Sequence, residues 1–235
     1  MPVERAIARC ESIRAQLADH PRPQALVAHP LAGLRAMRGE IAEARQLLSQ
    51  SNATMADLGV TMHSAVSHHE AYVALLADDA NHAEEILRAG HERLTEMGEK
   101  ALLADTAALL ADVVYDRGRT DEALALTMEA EQAAAADDIS AQIVWRTVRA
   151  RIRARGGEIA EAKRISAEAV DMAAHTDWLC DHAEALLSQG QVLLVAGEAD
   201  AAGRAMRGAI ALYDRKGNTI GARRARSTLE VGATV

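Results

Sequence analysis

The side chains whose spacing comes closest to a recognition chemistry are arginines. Arg146, Arg149 and Arg153 stand at i, i+3 and i+7, which places three guanidinium groups on one face of a helix. Gln142 lies one turn earlier and Trp145 sits beside the row, with Arg151 and Arg155 adding charge next to it. Between residues 141 and 164 seven Lys or Arg face only two acids, in a chain whose formal net charge is −8. Guanidinium forks in such a row suit carboxylates or phosphates, which they grip with two parallel bonds. An indole beside them can stack on a ligand or on an arginine. The competing reading is internal: the same arginines pair with Glu and Asp on neighbouring helices, and Trp145 packs between repeats. If the surface binds a partner, charge reversal at Arg149 should abolish binding without changing helix content.

Two other clusters carry reactive side chains. His63, His68 and His69, followed by Glu70, contain no pair at the three- or four-residue spacing that brings zinc ligands together on a helix; a titrating, partly exposed face is expected instead. His175, Asp177, Cys180, Asp181 and His182 crowd one turn, but Cys180 and His182, two residues apart on a helix, diverge and cannot act as nucleophile and base. Asp181 is expected to serve the positive end of the helix that follows. No GxxxxGK[ST] loop is present, so ATP hydrolysis is not supported. No catalytic, cofactor-binding or metal residue is assigned, and no enzyme is expected. A basic tail, Arg215, Lys216, Arg223, Arg224 and Arg226, has no acid until Glu230; it could contact an acidic partner or RNA, or simply solubilise a terminal helix.

What positions these groups is an internal repeat. The six residues GEIAEA occur at Gly39 to Ala44 and again at Gly157 to Ala162. A turn residue followed five positions later by Ala recurs at Asp78 to Ala83, Gly118 to Ala123 and Gly197 to Ala202. Successive turns are therefore 39, 40, 39 and 40 residues apart, the mark of a solenoid in which each unit buries its apolar face against its neighbours. Seven residues before each turn stand Ala32, Ala71, Ala111, Ala150 and Gly190; twelve after it stand Ser51, Gly90, Ala130, Ala169 and Ala209. Small residues in all ten slots mark where two helices must approach closely.

Composition fixes the class of element. Hydrophobic residues make up 49% of the chain, aromatic ones 2%, and Phe is absent, so the packing is built from Ala, Leu, Val, Ile and Met. Ala is the strongest helix former and strand-favouring residues are sparse, which predicts an all-α protein. The acidic balance argues against a general nucleic-acid binder. No stretch approaches roughly 18 uninterrupted apolar residues, and Glu4, Arg5 and Arg9 stand where a secretory apolar core would lie, so neither a membrane span nor export is expected. A reduced, cytoplasmic setting fits two cysteines, Cys10 and Cys180, placed at opposite ends of an elongated body and not expected to meet.

The whole of 1–235 reads as one array: a lone helix within 1–20, five hairpins over 24–214 and a capping helix within 218–235. The lone helix, with Val3, Ile7, Ile13 and Leu17 as its apolar residues, closes at the Pro21 and Pro23 turn. It matches the second helix of a repeat whose first is missing, so either the chain is the C-terminal part of something longer or another element covers its exposed end. First helices are expected at roughly 24–38, 61–77, 100–117, 140–155 and 180–196, and second helices at roughly 41–57, 80–96, 120–136, 158–174 and 198–214. Pro30 should kink the first of these or mark its true start.

This arrangement resembles tetratricopeptide (TPR) repeats over essentially the whole chain, with units five or six residues longer than the usual 34 and few of the bulky aromatics. The segments Ala108 to Glu131, Asp137 to Gly157 and Ala211 to Asn218 are similar to the C-terminal helical arrays of bacterial signal-transduction ATPases, including those that follow a nucleotidyl cyclase and an AAA-type ATPase module. The resemblance implies a right-handed superhelix acting as a regulatory or partner-sensing region, with the chemistry upstream and no ATPase or cyclase activity here. The expected partner is a protein or peptide, acidic in character, a neighbouring ATPase or cyclase module, or a twin subunit. It is engaged at Gln142, Trp145, Arg146, Arg149 and Arg153, or along the concave side where repeat proteins of this shape grip an extended peptide. The alternative is a small-molecule sensor with a pocket inside the superhelix.

Overall fold

The computed structural model describes residues 1–59 and 68–232. Among them are twelve helices: α1 (Val3–Gln16), α2 (Pro21–Met37), α3 (Ile41–Asp57), α4 (His68–Leu76), α5 (Ala80–Met97), α6 (Lys100–Asp116), α7 (Thr120–Ala133), α8 (Ile139–Arg155), α9 (Ile159–Ala174), α10 (Leu179–Val195), α11 (Ala199–Lys216) and α12 (Thr219–Gly232). The expected first helix from residue 61 lies partly outside the described residues. Pro21 opens α2 rather than closing α1, because its missing N–H and fixed φ suit a first helical position, and α2 runs on through Pro30.

All five turns adopt the left-handed conformation, at Gly39, Asp78, Gly118, Gly157 and Gly197, with φ between 61° and 87°. Asp78 is the one non-glycine with positive φ among the described residues. The small-residue slots are where helices meet: Ala32, Ala111, Ala150, Ala130, Ala169 and Ala209 are fully buried, as are the turn-plus-five alanines Ala44, Ala83, Ala123, Ala162 and Ala202. At Gly190 a Cβ would come within 2.7 Å of Met206 Cγ and 3.3 Å of the Ala202 carbonyl, so α10 and α11 touch at closer range than any larger residue permits.

The chain is an all-α solenoid with two unequal layers. Among the described residues, first helices pack on one another at three of the four steps, α2 on α4, α6 on α8 and α8 on α10, whereas no comparable packing joins successive second helices. The gaps between second helices are spanned by long side chains, as in Arg88 to Glu122 (2.5 Å), His91 to Glu129 (2.9 Å) and Lys163 to Glu198 (2.5 Å). Tight inner contacts and stretched outer ones bend the array toward its first helices.

The bend brings the ends together, which corrects the expectation of an elongated body. α12 packs on α2. Lys216 Nζ donates to the Met1 carbonyl (3.2 Å), Thr219 Oγ1 to the Met37 carbonyl (3.1 Å) and Asn218 Nδ2 to the Tyr72 hydroxyl (3.4 Å). Ile220 joins the apolar cluster of Ala32, Ala36, Leu48 and Val73. The lone α1 is covered accordingly: Val3 is fully buried, and its Cβ lies 3.5 Å from where a Cβ on Gly217 would stand. The chain's own C-terminal turn thus supplies the cover that α1 lacks from a partner helix.

Candidate partner-binding site

The arginine row on α8 is built as its spacing predicts, but each of its guanidiniums already has an internal acceptor, and Arg146 Nε is left buried without a hydrogen bond. Arg149 is buried (8% exposed). Its Nε donates to Thr127 Oγ1 (3.2 Å), Nη2 to the Thr127 carbonyl (2.6 Å) and Nη1 to Glu131 (2.5 Å). Arg146 bonds the carbonyl (2.9 Å) and side-chain oxygen (2.5 Å) of Gln142 and approaches Glu168 at 3.6 Å; Arg153 bonds Glu158 at 2.6 Å. Trp145 is also buried, donates to Gln142 at 3.2 Å, and carries the guanidiniums of Arg146 and Arg149 at 4.0 and 4.3 Å from its ring centre. Trp145, Arg146, Arg149 and Arg153 come together around a cleft of about 470 Å³ whose other walls include Glu131, Glu161 and Glu168, with Gln142 joined to them through its bonds to Trp145 and Arg146. With the indole stacked on arginines and each guanidinium committed to an internal acceptor, the cleft is a balanced ionic seam between α7, α8 and α9.

The histidine and cysteine clusters prove equally committed. His68 bonds Thr106 Oγ1 at 2.7 Å, and burial, with His69 beside it, pushes it down to about 4, so this member of the cluster is neutral near pH 7, while His69 is exposed. His63 lies outside the described residues. Burial pushes the Cys180 thiol up to about 11, and its sulfur accepts from Asn218 at 3.7 Å, so it is no thiolate nucleophile. Asp181 does stand in the first turn of α10, but burial raises its pKa to about 6. In the basic tail Arg224 pairs with Glu184 and Arg226 with Asp214.

Charged residues that pair with one another yet keep exposed acids converge on the inner wall. On α6, Asp105, Asp112 and Asp116 stand at i, i+7 and i+11, one helical face. The next first helix presents Arg151 and Arg155 in the matching positions. Arg151 pairs with Asp112 and, at 3.0 Å, with Asp116, and both arginines lie over the Tyr115 ring, at 4.7 and 5.0 Å. Asp181 and Glu184 face them from α10 and Arg224 from α12, where its charge is felt by Asp116 and by Tyr72. Asp116 is 66% exposed, yet it is enclosed by the ring: burial, then Asp112 beside it, push its pKa up against the pull of Arg151. A recess of about 160 Å³ between Asp116, Arg151, Arg155 and Gln191 opens onto this wall. The three-aspartate spacing was present in the sequence; only the curvature shows that it faces a confined space.

No family model matches the chain, and no curated protein matches it. Solved structures do. The crystal structure of BtubC (BKLC) from P. vanneervenii superposes with a TM-score of 0.61 at 16% identity, over 98% of this chain and 93% of that one. The apo form of the quorum sensor NprR from B. thuringiensis superposes with a TM-score of 0.63 at 13% identity, over 98% of this chain and 65% of that one. At such identity the likeness is one of fold, and it fits a TPR-like helical repeat.

Proposed function

We propose that this chain is a non-catalytic regulatory module that binds a protein or peptide partner along the inner wall of its closed array, in a cytoplasmic setting. The observation that carries the reading is the convergence, inside the ring, of exposed charged side chains from α6 (Asp116), α8 (Arg155), α10 (Glu184) and α12 (Arg224). A groove of this kind offers fixed charges to an extended segment and no reacting group. The arginine row, our sequence-based choice of surface, is set aside because its guanidiniums are largely buried, whereas Asp116, Glu184 and Arg224, though also ion-paired, stay exposed. The partner's charge is reassigned with it, from acidic to cationic. The fold of a quorum sensor supports a sensing role, which also keeps a small-molecule ligand as the second reading. The resemblance to ATPase-linked arrays adds a nucleotide-handling module as the element regulated.

Thermal unfolding of the full chain with a panel of extended peptides of graded charge, and separately with a metabolite pool, tests this. A ligand at a hundred times its Kd stabilises by about 2.7 kcal/mol. Stabilisation by peptides, lost when Gln191→Trp fills the inner recess, supports the proposal; stabilisation by metabolites alone supports the second reading. Turnover by the purified chain contradicts both.

A further inference from the structure

The inner wall is rich in acceptors. Five carboxylates, Asp105, Asp112, Asp116, Asp181 and Glu184, share it with three arginines, Arg151, Arg155 and Arg224. Lys216, the other cation near Asp181, is drawn to the Met1 carbonyl. A second observation points the same way. Tyr213 is fully buried, and its hydroxyl, beside Glu184 and Arg224, makes no hydrogen bond of normal geometry. The wall also shows which group it takes. Arg224 arrives from the last helix, pairs with Glu184 through one Nη, and feels Asp112 across the ring.

We infer that this wall recognises an arginine side chain of the partner, in the position that Arg224 holds within the free chain. The inference rests on the inner-wall reading above and names its ligand chemistry. A guanidinium carries five donors and no acceptor, and its flat fork can bridge carboxylates on different helices. That matches a wall of Asp116 and Glu184, with the buried Tyr213 hydroxyl directly behind Glu184. An ammonium, as a compact and strongly hydrated point charge, loses more water for fewer directed bonds. Arg224 and the partner's arginine then compete for Glu184, so binding is coupled to release of the Arg224 side chain from that carboxylate while α12 stays packed on α2. A site already filled from within binds more weakly by the fraction of time it is free.

The test uses the full chain and three labelled extended peptides of one sequence, carrying arginine, lysine or citrulline at the same positions, with fluorescence anisotropy as readout. The inference expects the arginine peptide to bind at least about tenfold more tightly than the lysine peptide, as a directed fork should, and the citrulline peptide not to bind. Arg224→Ala should tighten arginine binding about tenfold by freeing the wall, while Asp116→Asn and Glu184→Gln each weaken it. Both acids are exposed, and unchanged melting curves confirm that their variants fold. Equal binding of lysine and arginine peptides overturns the inference, as does indifference to Arg224→Ala. If acidic or neutral peptides bind instead and Gln191→Trp blocks them, the arginine chemistry falls while the inner-wall reading stands; arginine binding that Gln191→Trp leaves intact removes both.

Discussion

Asn218 and Tyr72 are separated by 146 positions, and the Asn218 amide nitrogen stands 3.4 Å from the Tyr72 hydroxyl. The orientation of that amide follows from its other bond. Asn218 Oδ1 accepts the Gly221 N–H at 2.9 Å as the N-cap of α12, so Nδ2 must turn toward Tyr72 and Cys180. One buried side chain therefore starts the last helix and ties it to the second hairpin.

That double role can be separated. Asn218→Ser keeps a capping oxygen but is too short to reach Tyr72, whereas Asn218→Ala loses both. The alanine variant should lose about 1–2 kcal/mol in chemical denaturation and the serine variant less. Both should show a larger radius of gyration in solution scattering. A serine variant as compact as the parent would remove the seam from the account.

The turn at Asp78 is the one repeat turn without glycine. An L-residue held at φ 61° is strained relative to glycine, so Asp78→Gly should stabilise by about 0.5–1 kcal/mol. Gly157→Ala, at φ 83°, should cost about 1 kcal/mol. Denaturation midpoints of the two variants should move in opposite directions.

Reversing Arg149 now carries a different expectation from the sequence-based one. Its guanidinium satisfies Thr127 and Glu131 from a buried position, so Arg149→Glu should destabilise by about 3–5 kcal/mol, a large part of the roughly 5–15 kcal/mol of a typical domain. Arg149→Met, which keeps the volume, should cost less. Circular dichroism melts check this; an Arg149→Glu chain as stable as the parent would restore the row as a free surface.

The repeat was legible because a solenoid writes each unit's packing into the same slots: Ala44, Ala123 and Ala162 are buried at equivalent places. Closure was not legible. The period records how much chain each unit uses, whereas the meeting of Lys216 with Met1 depends on a small tilt per unit accumulated around the array. The site failed for the same reason. Spacing put Arg146, Arg149 and Arg153 on one face, but that Glu131 and Glu168 lie opposite is a fact of hairpin geometry. The aspartates of α6 become a site only once the wall they line curves.

Two buried groups set opposing pH dependences. His68 is depressed to about 4, so the stability tied to its neutral form is lost as pH falls from 6.5 toward 4. Asp181 is raised to about 6, by burial and then Glu184, with Asp105 acting the same way and Lys216 opposing; the stability tied to its protonated form is lost as pH rises from 3.8 through 6. Each contributes on the order of 1 kcal/mol per pH unit in its window. Between about pH 4 and 6 these two contributions to the parent's melting temperature therefore oppose one another. Asp181→Asn should leave it rising with pH and His68→Gln should leave it falling; parallel profiles for the two variants would contradict the assignment.

The meeting of the chain's ends is what confines the inner wall, and a covalent trap tests it directly. Val3→Cys and Gly217→Cys, made together with Cys10→Ser and Cys180→Ser, place two thiols whose Cβ atoms are 3.5 Å apart, within disulfide reach. The positive φ of Gly217, 84°, costs the variant about 1 kcal/mol, to be checked by its melting curve before oxidation. On mild oxidation the closed array predicts rapid formation of an intramolecular disulfide in the monomer, seen as loss of both free thiols and faster migration without reductant. Persistent free thiols, or cross-links formed only between molecules, would contradict it.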